Sequence, residues 1–399
     1  MRKMKMTIAA LGLTALGVGY AQAEAVLKIG VLGSYGGFAG SEVSGEGAAL
    51  AARQAVEDFG GKVAGMKIEV VAADMQNKPD VAATIARKWF DQDGVDMITD
   101  LPVTPVALAV QAIAKERKKV TVVAAAVIAD LTGKACSPYS IHWAEDSIAL
   151  SKSAKLIVET GGKTWFFVVA DFGFGHAMLK DATAAIEAAG GKVLGSIKHP
   201  LGAGDFASYL LAAQNSKAQV IGFANVATDL TNGIKQASEF GLVAAGQRLA
   251  GTVVFISDIN GLGLQKAQGL LVTSSFYWDK NEATRAFGRK YFAKLNRMPT
   301  KVQGSVYSGV LHYLKAVQAA GTKDAAAVTT KMKSMPVDWY GEQVKIREDG
   351  RLMQDVHLYQ VKSPAESKYA WDYYKLVKTM KADEAFKPLS QSECDFIKK

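Results

Sequence analysis

Residues 163–178 read KTWFFVVADFGFGHAM, and their pattern sets the fold. Trp165 through Ala170 make an apolar run too short for an independent helix and rich in aromatic and β-branched residues, the composition of a buried strand in a parallel sheet. Asp171-Phe172-Gly173-Phe174-Gly175 then turns the chain, Ala177 through Ala189 has alanine-rich helical spacing, and Gly190-Gly191 closes the helix. Val193 through Ile197 is the next strand, so the unit reads β–turn–α–β. Sheets of this kind hold ligands at the carboxyl ends of their strands, on the turns that lead into helices. Two phenylalanines on such a turn predict a surface that grips something apolar. The same order occurs near the start, where Val26 through Leu32 is followed by Gly33-Ser34-Tyr35-Gly36-Gly37-Phe38. Two lobes, each offering a strand-end turn to a shared ligand, are expected.

A chain of 399 residues exceeds what one hydrophobic core usually holds, so two domains are the default. Residues 1–23 read as a signal peptide: Arg2, Lys3 and Lys5 form a basic start, Thr7 through Tyr20 is apolar, and Ala21-Gln22-Ala23 is a small-residue cleavage site. That segment is too short and wrongly flanked for a membrane span. No cysteine stands directly after the cleavage site, so a lipid anchor is not indicated, and a soluble periplasmic protein is expected. Loss of the leader's three basic residues lowers the formal charge from +9 to +6. The excess is spread along the chain without an arginine-rich, aromatic-interleaved run, which argues against nucleic acid and leaves a mild bias toward anionic ligands. Cys136 and Cys394 are the two cysteines, and in an oxidising compartment such a pair is expected to form a disulfide tying the C-terminal tail to the first lobe. Neither cysteine lies in a recognisable motif with a histidine that would make it a nucleophile.

Strands and helices alternate along the rest of the chain, the signature of an α/β fold with parallel sheets. Helices are expected over 47–58, 80–92, 104–116, 147–160, 230–240, 281–295 and 306–320, and strands over 67–73, 96–99, 120–127, 219–224 and 253–256. Short strands near 343–347, 356–360 and 375–377 end the chain. No Pro- or Ser-rich linker separates the halves, so the lobes should be joined by several short crossings.

The chain resembles the type I periplasmic solute-binding proteins of ABC transporters, the family of the leucine/isoleucine/valine-binding protein. The resemblance rests on features in order: Ile29 through Gly37, Val56-Glu57-Asp58-Phe59-Gly60-Gly61, Asp74 with Pro79, Ala124 through Thr132 with Leu131-Thr132-Gly133, Asp171 through His176, Ala188 through Val193, and Gln236 through Gly241. It implies two Rossmann-like lobes with parallel sheets joined by a three-stranded hinge. Lobe one would be residues 24–143 plus 275–353, and lobe two 144–274 plus 354–399. It further implies capture of a small carboxylate in the interlobe cleft without a cofactor, delivery to inner-membrane permease subunits, and action as a monomer. A ligand-sensing receptor of the same fold is the alternative role.

In amino-acid-binding members, two lobe-one turns hold the α-carboxylate, and the positions here are Pro102-Val103-Thr104 and Ala125-Ala126-Val127. Several of the usual hydroxyls are replaced, leaving Thr104 as the clearest one. It either contributes to the ligand or caps its own helix. Backbone N–H groups at a helix start can still hold a carboxylate. Lobe two would present Phe174 as an aromatic wall and Asp258 as the partner of an ammonium, unless Asp258 caps a helix or is simply solvated, while Asn225-Val226-Ala227 replaces a tyrosine-bearing turn and enlarges the pocket. Phe172, Tyr35 and Phe38 are the remaining wall candidates, with core packing as the alternative for each phenylalanine. Fewer hydroxyls, more room and aromatic lining favour an aromatic acid over a small branched-chain amino acid, and the Trp-Phe-Phe strand with Phe276-Tyr277-Trp278-Asp279 resembles the members that bind hydroxybenzoates and phenylpropanoids. Phe276-Tyr277-Trp278 reads as packing at a crossing, with a ligand box as the alternative. The five histidines lack metal-ligand spacing, and the sequence holds no G-x-S-x-G, H-E-x-x-H or nucleotide-binding glycine motif, so neither a metal site nor catalysis is expected.

Overall fold

The computed structural model describes residues 25–36 and 42–397; the leader and Phe38 lie outside the described residues. The first sheet is built from β1 (Val26–Gly33), β2 (Lys62–Val63), β3 (Met66–Asp74), β4 (Met97–Asp100), β5 (Val120–Val123) and β6 (Ser140–His142), ordered β2-β3-β1-β4-β5-β6. All its pairings are parallel except the short β2–β3 edge. Helices Pro79–Asp91 and Thr104–Glu116 pack together beside this sheet, and Glu46–Phe59 packs with the long helix Lys301–Ala320, which also touches β4 and β5.

The second sheet begins with β7 (Thr164–Ala170), β8 (Lys192–His199), β9 (Val220–Ala224), β10 (Arg248–Gly251) and β11 (Leu271–Ser274). After the small hairpin β12 (Val337–Trp339) and β13 (Glu342–Val344), which packs on helix Lys301–Ala320, the chain returns to this sheet as β14 (Val356–Val361) and β15 (Tyr374–Met380). Its order is β15-β14-β11-β10-β9-β7-β8, parallel from β8 to β11 and antiparallel across β14 and β15. The chain therefore passes between the sheets three times, after β6, after β11 and before β14.

The strand Thr164–Ala170 buries Trp165, Phe167, Val168 and Val169 in the cores on its two faces. Each such side chain contributes about 1.5–3 kcal/mol on leaving water. Three local readings need correction. Val253 through Ile256 is not a strand: the paired segment is Arg248–Gly251, in register with Val220–Phe223, and the more apolar run beyond it leaves the sheet. The helix after β7 starts at Gly173, so Phe174 stands in its first turn. The long helix starts at Lys301, five residues before the apolar periodicity begins, because Thr300 and Gln303 cap it reciprocally. Among the described residues no helix is long and apolar enough to cross a membrane. Cys136 and Cys394 are bonded, with Cα atoms 5.5 Å apart.

Candidate functional site

Three segments end at one place with no side-chain cap at the position that precedes the helix. Val103, Phe172 and Val226 precede helices Thr104–Glu116, Gly173–Ala188 and Ala227–Glu239, and none offers an oxygen to the first-turn N–H groups. Those donors have no partner within their own helix, and the partial positive charge of the helix start adds to them. Val103, Thr104, Phe172, Phe174, Val226 and Ala227 all line a cavity of about 410 Å³ between the two sheets. Thr104 is the first residue of its helix and makes no capping bond, so the capping alternative does not describe it.

The backbone leading to this cavity is held in an uncommon conformation. Asp100 and Leu101 have φ of 78° and 59°, immediately before the cavity-lining Pro102, and Ala227 has φ of 51°. Left-handed backbone in non-glycine residues is costly and persists where the surroundings enforce it. Here the fully buried Asp100 carboxylate accepts from the Ser44 hydroxyl at 2.6 Å and the Gly45 N–H at 3.1 Å, which locks the β4 end to the segment after β1. Burial pushes its pKa up to about 7, against the lowering effect of those two donors.

Of the residues expected to form the site, Thr104, Ala125, Val127, Phe172, Phe174 and Asp258 line the cavity together. Phe172 and Phe174 sit with ring centroids 5.9 Å apart. Ala126 does not line it: its side chain is buried in the first lobe's core and its carbonyl bonds His142 Nε2 at 2.7 Å. Asn225 is also turned away, with Nδ2 on His199 Nε2 at 2.9 Å, while its neighbours Val226 and Ala227 reach the cavity. Tyr35 is 40% exposed outside the lining, and its N–H donates to Asp74 Oδ1 at 3.3 Å. Phe276, Tyr277 and Trp278 are buried and pack among Phe287, Tyr340 and Tyr374 at the second crossing.

Asp258 is both a helix cap and part of the cavity lining. Its Oδ2 accepts the Phe255 N–H at 2.8 Å, capping a short helix, and the residue also lines the cavity. Burial raises its pKa to about 6, with the Phe255 bond lowering it and Glu42 raising it.

Lining residues the sequence reading passed over include Val253, Phe255, Glu145, Lys301 and Val302. Lys301 Nζ and Glu145 Oε2 form a buried pair at 3.6 Å, and Glu145 Oε1 accepts the Ser275 N–H at 2.5 Å. Burial alone would raise the Glu145 pKa; the Lys301 charge and the Ser275 donors outweigh it and hold the carboxyl below its ordinary value. The signal for Lys301 was present in Thr300-x-x-Gln303, a helix-start motif that moves the helix boundary to the cavity. Phe255 and Val253 gave the opposite signal, since β-branched and aromatic residues mimic a strand.

The site thus joins apolar walls, three uncapped helix starts and a few buried charged groups, suited to hold and enclose a small molecule. The sequence model for "Periplasmic binding protein" matches residues 26–368. Leu/Ile/Val-binding protein homolog 6 of Brucella suis biovar 1 (strain 1330) is 28% identical over 384 residues, covering 92% of this chain and 95% of that protein. A crystal structure of a periplasmic binding protein from Burkholderia mallei is 44% identical, with TM-score 0.86 over 94% of this chain and 100% of the other. That of a branched chain amino acid ABC transporter periplasmic ligand-binding protein from Burkholderia xenovorans LB400 is 37% identical, with TM-score 0.87 over 92% and 99%. A solute-binding protein from R. palustris in complex with 4-hydroxybenzoate shares the fold at 24% identity and TM-score 0.78 over 89% and 97%. Two sheets crossed three times, a cavity at their strand ends and a match along nearly the whole described chain lead to one conclusion: the chain belongs to the periplasmic binding protein family.

Proposed function

We propose that this substrate-binding protein of an ABC importer captures an aromatic carboxylate between lobes formed by residues 24–143 with 275–353 and 144–274 with 354–399. Residues 1–23 would be removed on export. The observation that carries the reading is the cavity itself. Phe172, Phe174, Phe255, Val103 and Val253 make it predominantly apolar, while the uncapped start of helix Thr104–Glu116 leaves the N–H groups of Thr104 and Val106 for a carboxylate, Pro105 having none. Ligand would favour the closed arrangement, and permease subunits would read that form. Nothing in this scheme alters the ligand.

Asp258 supports a second reading, a branched-chain amino acid, because its carboxyl accepts a single donor among the described residues and could meet an ammonium. The Burkholderia xenovorans relative carries that description. Thermal unfolding of ligand-stripped protein with leucine, valine, benzoate and hydroxybenzoates separates the two. A ligand at about a hundred times its Kd adds about 2.7 kcal/mol of stability. The aromatic reading expects that shift with the aromatic acids, and Phe174→Ala should weaken their binding about tenfold while leaving the unliganded melting temperature within a few degrees. A shift with leucine and none with the aromatic acids overturns it.

A further inference from the structure

Lys301 is placed where both burial and its own helix disfavour a cation. Its side chain is 7% exposed, and it occupies the first position of a 20-residue helix, the positive end of the dipole. Its contacts are long: Glu145 Oε2 at 3.6 Å, the Thr273 carbonyl at 3.4 Å and the Phe255 ring centroid at 5.9 Å. An ammonium has three donors, so these contacts leave hydrogen-bonding capacity on a group that lines the cavity. Three residues after Phe255 stands Asp258, whose carboxyl accepts the Phe255 N–H and no other bond among the described residues. Phe255 therefore carries a donor-rich ammonium over its ring and an acceptor carboxyl on its backbone, both facing one apolar chamber.

We infer that Lys301 is a specificity-determining residue that, with Asp258, reads a hydroxyl on the ligand's aromatic ring. This rests on the aromatic-acid reading above and narrows it to hydroxylated members. A hydroxyl donates one hydrogen bond and accepts others, so it complements both kinds of group. A second carboxylate would satisfy Lys301 but face Asp258 and Glu145 as like charges. An amine would satisfy Asp258 but bring more donors to Lys301. A bare ring would leave both buried groups short of partners, the costly outcome in a low-dielectric site.

Calorimetric titration of refolded, ligand-stripped protein with benzoate, 3- and 4-hydroxybenzoate, 4-methoxybenzoate and 4-aminobenzoate tests this. One hydroxybenzoate should bind at least about tenfold more tightly than benzoate and the other analogues, the factor expected for a hydrogen bond to a charged group. In Lys301→Met that ratio should collapse toward one. Wild-type protein that binds benzoate as tightly as either hydroxy acid overturns the proposal, as does a variant that weakens every acid by the same factor. Because Lys301→Met leaves Glu145 buried alone, the paired variant Lys301→Met/Glu145→Gln is measured beside it, and the wild-type ratio decides if neither folds. Binding of leucine with no aromatic acid bound defeats the parent reading instead, a result distinct from aromatic acids bound without hydroxyl preference.

Discussion

Asp100 shows how a residue outside the cavity lining can set the cavity's shape. Its carboxylate holds Ser44 and Gly45, and its left-handed backbone aims the chain toward Pro102-Val103-Thr104. With a folded pKa of about 7 against an ordinary 3.8, the folded state keeps a proton that the unfolded chain has already released. The stabilisation is therefore complete below about pH 3.8 and is lost as pH rises through about 7. Asp100→Asn removes the ionisation and keeps an acceptor. The variant should gain about 3 kcal/mol relative to wild type between pH 5 and pH 9, a difference set by the size of the shift. Denaturant unfolding across that range gives the comparison, and parallel pH curves for the two proteins would reject the assignment.

At the level of elements, the alternation of strands and helices was legible because each element has its own apolar period, and Trp165 through Ala170 or Thr104 through Glu116 leave little choice. Val253 through Ile256 was not legible. Its composition favours a strand, but pairing belongs to Arg248–Gly251, and the register with β9 is a tertiary fact that no local pattern carries. The same limit applies to Ala126 and Asn225, where the right turn was found but the choice of which side chain faces the cavity depends on how each loop packs. The turn after β7 was misjudged for a related reason. Glycines at 173 and 175 look like turn residues, yet Gly175 is in the helix because a side chain would not fit: a Cβ there would lie 2.1 Å from the Ala170 carbonyl oxygen and 3.2 Å from that of Ala224. Gly175→Val should therefore push the helix start off β7 and β9, costing about 3 kcal/mol and displacing Phe174. The expected result is a lowered unfolding midpoint together with weakened ligand binding. An unchanged midpoint would mean the helix can shift freely at this contact.

Across the whole molecule, the crossings are tied to each other more tightly than to the cavity. Arg351, fully buried just before the third crossing, donates to His142 Nδ1 at 2.9 Å, to the His142 carbonyl at 2.5 Å and to the Ala144 carbonyl, and lies 3.7 Å from Asp146, all at the first crossing. Gln354 adds a bond to the Trp143 carbonyl at 2.8 Å, and Glu145 receives the Ser275 N–H from the second crossing. The C-terminal tail braces this junction from outside. Phe386 stacks on the Arg351 guanidinium at 4.6 Å, the Lys387 carbonyl accepts from Arg347 at 2.6 Å, and Cys394 is bonded to Cys136 in the first lobe, across 258 residues. None of the described tail residues lines the cavity. Stability and ligand affinity should then separate. Replacing both cysteines with serine should lower unfolding stability by about 3–5 kcal/mol, the range for a disulfide closing so long a loop, while the calorimetric Kd stays within about twofold. If affinity falls in step with stability, the tail takes part in lobe closure and is no mere brace.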